Sequence, residues 1–428
     1  MNDLYFERAG NGKSGLRIGV IGGSGYYTPE FVEALVRKQS ELPVAEVVLN
    51  GRSPEKLEQV GRVCQKIADA AGSPLKVRTT TERRVAIEGM DFVLCQVRVG
   101  GMAARAMDER FPLEFGIIGE ETTGPGGFAN AMRTVPVVLE IAREIERYSP
   151  ATVLVMLTNP AGITVEAVKR YTKVKVFGAC DLPVALLDKM ARVAGVSGRE
   201  ELDYKYYALN HLGWFGSVNA GGRDLMPLLM ERAADLGPGI DGGVVRRLGL
   251  IPLPYLKYYY HAERLARAAA GKPTRAEYLL EVEERLSEAY TDPAGGKPAL
   301  VEERHAIWYG EVIVPLLRSL VNNGPPARHI MITANNGICP ELPDDAVIEV
   351  PTLVGGGMIN PVAQGPIPAQ ILELLRRVKA YEQLAVRAAA EKSGDLAVEA
   401  LAAHPLVRDR QQARSLWNRV EEINAADH

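Results

Sequence analysis

The run Leu16-Arg17-Ile18-Gly19-Val20-Ile21, then Gly22-Gly23-Ser24-Gly25, then Thr28-Pro29-Glu30-Phe31-Val32-Glu33-Ala34-Leu35-Val36-Arg37, carries the reading on which the fold rests. The first six residues are short, apolar and partly β-branched, the mark of a buried strand. The glycines that follow mark a tight turn. Pro29 suits a first helical turn, and Phe31, Val32, Leu35 and Val36 recur at the spacing of one helical face. Strand, glycine turn and helix make a βα unit. A second apolar run over residues 45–49 and a helix over 55–71, with Leu57, Val60, Val63 and Ile67 on one face, complete β-α-β.

Working outward, further strands are expected at 76–79, 92–96, 152–157 and 174–178, with helices over 135–148 and 183–196. This alternation belongs to a parallel sheet covered by helices. From about residue 184 it stops. Amphipathic helices then mix with a few strands, among them 329–334 and 347–349, and residues 371–403 read as strongly helical. The expected fold class is α/β: an N-terminal Rossmann-like doubly wound parallel sheet over 15–180, and a C-terminal α+β domain over 181–428.

Bulk composition agrees with a folded protein of two or three domains. The chain has 428 residues, 47% hydrophobic and 24% charged, inside the globular range. Fifty Lys plus Arg against 53 Asp plus Glu leave a net charge of −3, too balanced for a chain built to neutralise nucleic acid. With no apolar run of about 20 residues and no signal-peptide pattern at the start, the expectation is a cytoplasmic protein without a membrane partner. The four cysteines, Cys64, Cys95, Cys180 and Cys339, are scattered, so neither a disulfide framework nor a four-ligand zinc site is expected.

The glycine turn offers Gly23-x-Gly25 without a third glycine at the usual place. Its context, after a buried strand and before a helix, supports dinucleotide binding by Gly22, Gly23, Ser24 and Gly25, whose backbone lets a pyrophosphate approach a helix N-terminus. The second strand should end in Asp or Glu to hold the ribose hydroxyls. This chain has Asn50 with Arg52 and Ser53 beyond it, a set that can accept a 2′-phosphate, so NADP stands beside NAD.

An ordered series of motifs follows: Gln96-Val97-Arg98-Val99-Gly100-Gly101, Glu121-Thr122-Thr123-Gly124-Pro125-Gly126-Gly127, Leu157-Thr158-Asn159-Pro160, Cys180-Asp181-Leu182-Pro183, Leu209-Asn210-His211-Leu212, Ala334-Asn335-Asn336-Gly337 and His404-Pro405-Leu406. The series resembles the family 4 glycoside hydrolases, of the lactate/malate dehydrogenase-like superfamily, which use a nicotinamide cofactor and a divalent metal instead of two-carboxylate chemistry. The resemblance implies that Cys180 and His211 hold the metal, Mn2+ or another divalent ion. Two protein ligands would leave positions for substrate oxygens and water. It further implies transient oxidation at sugar C3, removal of the acidified C2 proton, departure of the aglycone, water addition and return of the hydride. The implied base is Tyr255, with Tyr259 the alternative in the run Tyr255-Leu256-Lys257-Tyr258-Tyr259-Tyr260; the implied acid is Asp181.

In the family an Asp beside the metal cysteine accompanies α-linked 6-phosphoglycosides. Arg98 and Asn159 match substrate contacts, and Arg304 matches an arginine for the 6-phosphate, although His305, Ala306 and Ile307 replace the small residues usual there, which admits another anionic or a neutral sugar. The expectation is therefore a glycosidase acting on a small glycoside as a homodimer or homotetramer. Its rivals are an NAD(P)-dependent dehydrogenase of a 2-hydroxy acid or sugar alcohol, and a non-catalytic cofactor-binding protein.

Overall fold

The computed structural model describes residues 15–292, 296–304 and 308–426, the side chains of 303, 304, 425 and 426 excepted. Six parallel strands build its first half: β1 (Leu16–Ile21), β2 (Val44–Asn50), β3 (Lys76–Thr80), β4 (Phe92–Cys95), β5 (Val153–Met156) and β6 (Lys175–Gly178). They lie in the order β6-β5-β4-β1-β2-β3. The chain winds outward from β1 through β2 to β3, returns to β4 and winds the other way. The winding reverses between β1 and β4, where open α/β sheets bind ligands beyond the carboxyl ends of their strands. Helices α1 (Thr28–Arg37), α2 (Pro54–Ala70), α3 (Gly101–Arg110), α4 (Gly124–Tyr148), α5 (Ala161–Tyr171) and α6 (Leu182–Ala194) alternate with these strands or follow them.

The sheet does not end at β6. It continues through β7 (Asp203–Leu209), β8 (Leu212–Ala220), β9 (Arg223–Asp224), β10 (Ile251–Pro252), β11 (Ala327–Ala334), β12 (Val347–Gly355) and β13 (Met358–Pro361), all antiparallel to their neighbours. The junction is the β6–β11 pair, with Ile332 opposite Gly178. The two halves thus share one sheet.

One helix boundary departs from the sequence expectation, and one hairpin was not expected. The helix expected over 135–148 begins at Gly124, because Pro125 sits in its first turn and the glycine-rich segment is helical under tertiary contacts. Residues 371–403 are strongly helical as expected, in two helices, Ala369–Glu391 and Gly394–Ala403, parted by Lys392 in the left-handed region at φ 53°. The β7–β8 hairpin was not foreseen, since Asn210-His211 is not a usual hairpin turn pair. Its strands bury Tyr206, Trp214 and Phe215 in the largest core cluster.

Candidate active site

The glycine turn is fixed from two sides. Main-chain N–H groups of Gly22 and Gly23 donate to the carbonyl of Asn50 at 3.0 and 2.7 Å, tying β1 to the end of β2. The Gln96 side chain, beyond β4, donates to the Gly22 carbonyl at 3.2 Å and to Thr28 Oγ1 at 3.0 Å, and accepts from the Tyr309 hydroxyl at 2.6 Å. Gly22 has φ 88°, and a Cβ there would lie 2.8 Å from the Gln96 carbonyl oxygen. Only glycine fits this position. Ser24 packs against Gly51, where a Cβ would meet the serine Oγ at 2.8 Å.

The turn therefore has the architecture a dinucleotide needs: glycine backbone at the winding reversal, opening onto α1. Asn50 is buried and its amide nitrogen donates to the Thr80 carbonyl at 3.1 Å, bracing β3, while Arg52 is exposed. Ser53 caps α2 by accepting from the Lys56 N–H at 3.4 Å.

The other implied residues follow neighbouring strands. Arg98 lies beyond β4, Asn159 beyond β5 just before a cis Asn159–Pro160 bond, and Cys180 and Asp181 beyond β6. Arg98 pairs with Glu121, which also meets Arg105 at 3.2 Å. Arg105 in turn binds Glu109 at 2.8 Å. The Asn159 carbonyl accepts from Asn130 at 3.3 Å. The Cys180 sulfur is 4.0 Å from Asp181 Oδ1.

His211, in the β7–β8 link, is buried with φ 66°. Its Nδ1 is 2.9 Å from Thr122 Oγ1, and its ring meets that of Tyr255 edge-on at 4.8 Å between centroids. Asn210 beside it hydrogen-bonds Cys180 and donates to Glu349 Oε1 at 3.0 Å; Tyr206 donates to Glu349 Oε2 at 2.6 Å. Cys180, His211 and Tyr255 are thereby parts of one cluster, drawn from the β6 end, a hairpin link and the 3-10 turn Pro254–Leu256.

The four neighbouring tyrosines differ in their partners, although the Tyr255 and Tyr258 rings meet edge-on at 5.5 Å. Tyr255 alone of them has a ring contact with His211 among the described residues. Tyr259 stacks on His404 at 5.9 Å, and Tyr260 accepts from the Trp214 indole at 3.0 Å. Arg304 ends a 3-10 turn, Ala299–Arg304, and its side chain lies outside the described residues, as do His305, Ala306 and Ile307.

Electrostatically the cluster is acidic. Burial, then Glu120, raises the Tyr255 pKa well above its ordinary value; burial, then Glu349 and Asp181, does the same to Cys180. Burial first holds Glu120 and Glu349 up at about 7. Burial lowers His211 to about 4, so its imidazole is neutral at pH 7. A thiol, a neutral imidazole and surrounding carboxylates form a donor set that a divalent cation would complete, since its charge reverses the local preference for protonated forms. Among the described residues no group of three or more His, Cys, Asp or Glu is placed to hold a metal ion.

Sequence reasoning did not single out Gln96, Glu120, Thr122, Asn210 or Glu349 as site residues. Glu349 had a signal, a carboxylate inside the apolar strand Val347-Ile348-Glu349-Val350; Asn210 and Thr122 stand in quoted motifs beside assigned or charged residues.

A doubly wound sheet with a glycine turn at its winding reversal and a polar cluster along the adjoining strand ends defines an α/β enzyme of the malate dehydrogenase-like fold. A malate dehydrogenase from Plasmodium falciparum overlays with TM-score 0.54 at 11% identity, covering 88% of this chain and 99% of that one, a likeness of fold alone. Residues 17–196 match the family model described as family 4 glycosyl hydrolase, and residues 206–407 match its C-terminal domain. The chain belongs to the family 4 glycosyl hydrolases.

A probable 6-phospho-β-glucosidase of Bacillus subtilis is 34% identical over 430 residues, covering 96% of this chain and 97% of its own length. The 6-phospho-β-glucosidase of Thermotoga maritima, solved with manganese, NAD+ and glucose-6-phosphate, overlays with TM-score 0.88 at 31% identity, covering 96% of this chain and 98% of that one. A 6-phospho-α-glucosidase from gut microorganisms, solved with NAD and Mn2+, gives TM-score 0.85 at 27% identity, covering 97% and 99%.

Proposed function

We propose that this chain is a cytoplasmic, homo-oligomeric 6-phosphoglycosidase that uses NAD and a divalent metal and prefers α-linked substrates. The observation that carries the reading is the convergence of Cys180, His211 and Tyr255, from three separate chain segments, into one acidic cluster adjoining the glycine turn's sheet. Residues 15–180 would hold the cofactor, and 181–428 most of the metal and substrate contacts and the oligomer interface. Among the described residues no helix is long and apolar enough to cross a membrane.

Residues 22–25 and the N-terminus of α1 would bind the pyrophosphate, with Asn50 and Arg52 near the adenosine ribose. Cys180 and His211 would hold the metal. Bound at these places, the nicotinamide would supply a reversible hydride acceptor for a ring carbon, and the divalent ion a Lewis acid for the carbonyl so formed. Tyr255 then removes the proton on the adjacent carbon. Its phenolate is accessible only where positive charge offsets burial and the nearby carboxylates. Asp181 protonates the departing oxygen, and its place beside Cys180 supports the α preference; the 6-phospho-β- and 6-phospho-α-glucosidases among the relatives support the phosphorylated sugar. Arg98 and Asn159 position the ring. Arg98 is already turned toward Glu121, so it presents a paired guanidinium to the sugar, and Arg304 would meet the phosphate.

The test is a panel of nitrophenyl α- and β-glucosides, each with and without a 6-phosphate, assayed with NAD and Mn2+ singly and together. Aglycone release from the α-linked 6-phosphate only when both are present, without net NADH, is the expected result. Accumulating NADH would make the chain a dehydrogenase, and full-speed cleavage without either addition would end the reading.

A further inference from the structure

We propose that Thr122, held by Glu120, is a positioning residue that fixes the tautomer of His211 so that Nε2 is the unprotonated, metal-ready nitrogen; this rests on the metal reading above. The argument begins with a single hydroxyl proton. Glu120 Oε2 accepts the Thr122 main-chain N–H at 2.6 Å and lies 2.5 Å from Thr122 Oγ1. With Glu120 ionised, the form a bound cation favours, Oε2 can only accept, so it takes the Thr122 hydroxyl proton as well as the main-chain N–H. Thr122 Oγ1 is also 2.9 Å from His211 Nδ1. Having donated its only proton, it can only accept there. Nδ1 must therefore carry the imidazole proton, and Nε2 keeps its lone pair.

The segment is built to hold this geometry. Gly126 allows the turn to fold back on α3: a Cβ there would meet the carbonyl oxygens of both Asp108 and Glu120 at 2.4 Å. A Cβ on Gly127 would lie 2.3 Å from the Thr122 carbonyl carbon. The main chain carrying Glu120 and Thr122 is thus clasped between α3 and the start of α4. Its hydroxyl meets a histidine that the β7–β8 link sets at φ 66°. Neither partner can drift far from the other. Groups of this kind, one bond beyond a metal ligand, set ring orientation and tautomer, and losing one typically costs about 10–100-fold in metal affinity.

The measurement is Mn2+ binding to the full chain with NAD present, read from the electron paramagnetic resonance signal of the free ion, for wild type and for T122V, T122S and C180S. T122V is expected to bind about 10–100-fold more weakly, while T122S, which keeps the hydroxyl, stays near wild type. A T122V affinity equal to wild type, beside a weakened C180S, overturns the relay and leaves the metal site standing. An unweakened C180S overturns the metal reading and the relay with it. Nitrogen NMR of histidine-labelled protein at a pH where Glu120 is ionised, with His211 assigned through H211Q, reads the tautomer in the wild type itself. Pyrrole-type Nδ1 and pyridine-type Nε2 are expected, and the reverse pattern overturns the proposal.

Discussion

Tyr255 and Tyr259 stand one helical turn apart in sequence but have different ring partners: the first touches His211, the second stacks on His404. Y255F is therefore expected to lower kcat by about 10²–10⁴-fold, the usual range for a lost general base, with substrate binding largely retained. Y259F is expected to have a smaller effect. Steady-state kinetics with C2-deuterated substrate check this, and a Y259F collapse beside an active Y255F would move the base. Such a distinction was out of reach in the sequence, where four tyrosines crowd six positions and only a three-dimensional neighbour separates them. His404 supplies a second test at this scale. It is fully buried between Tyr259 and Tyr381, accepts the Leu406 N–H at Nδ1, and burial first, then Arg377, lowers its pKa to about 3. Between that value and the ordinary 6.5, the unfolded chain binds the extra proton, so stability falls as pH drops through this window. His404 alone should cost about 2 kcal/mol on going from pH 7 to pH 5. His211 and His329, each lowered to about 4, act in the same direction, while Glu120, Glu349 and Asp108, raised to about 7, act in the opposite one. The difference between wild type and H404Q in urea unfolding at the two pH values isolates the one group; equal losses in both proteins would show that its burial does not govern acid stability.

Among the elements, the β1–turn–α1 unit was the most legible, because its signals are local: an apolar run, glycines and a proline at the helix start. The glycines are not equivalent, however. Gly22 combines φ 88° with a Cβ position 2.8 Å from a main-chain oxygen, whereas a Cβ on Gly25 would find its nearest neighbour at 3.6 Å, ordinary contact. G22A is expected to lose about 1–3 kcal/mol of stability and to bind NAD more weakly. G25A should keep its melting temperature, so that any loss of NAD affinity reports on approach of the cofactor. Differential scanning calorimetry and a fluorescence titration with NAD distinguish the two, and a G22A protein as stable as wild type would refute the steric account. The elements that escaped the sequence are those whose signals are not local. The start of α4 depends on packing of its glycines against α3, and the β7–β8 hairpin turns through Asn210 and His211, a pair selected by what their side chains bind. Function there overrides turn preference, so the departure from the expected pattern coincides with the site.

At the scale of the whole molecule, the sequence separated a Rossmann-like half from a mixed half, and alternation of apolar runs with helical patterns was enough for that. Periodicity carries no information about which strand pairs with which across 150 residues, and the union of the halves into one sheet at Gly178 and Ile332 was accordingly not legible. A buried ion cluster reinforces this union. Lys379, on the helix Ala369–Glu391, lies 2.7 Å from Glu166 on α5 and 2.5 Å from Glu382, and Glu166 also accepts the main-chain N–H of Val347 at the start of β12 at 3.2 Å. Burial opposes the charge on Lys379, but the two carboxylates outweigh it and leave the ammonium's pKa raised. Replacing Lys379 with Met keeps the apolar stem and strands two buried carboxylates, which should cost about 3–5 kcal/mol, the penalty for removing one partner of a buried pair. Because the cluster joins α5 of the first half to β12 and a helix of the second, the loss should lower the urea midpoint of a single transition reported alike by tryptophan fluorescence and circular dichroism. If K379M instead melts in two steps, the halves fold as separable units and the shared sheet is a weak seam. If its midpoint is unchanged, the cluster contributes nothing net, and the packing of α5 against the long helix holds the halves together without it.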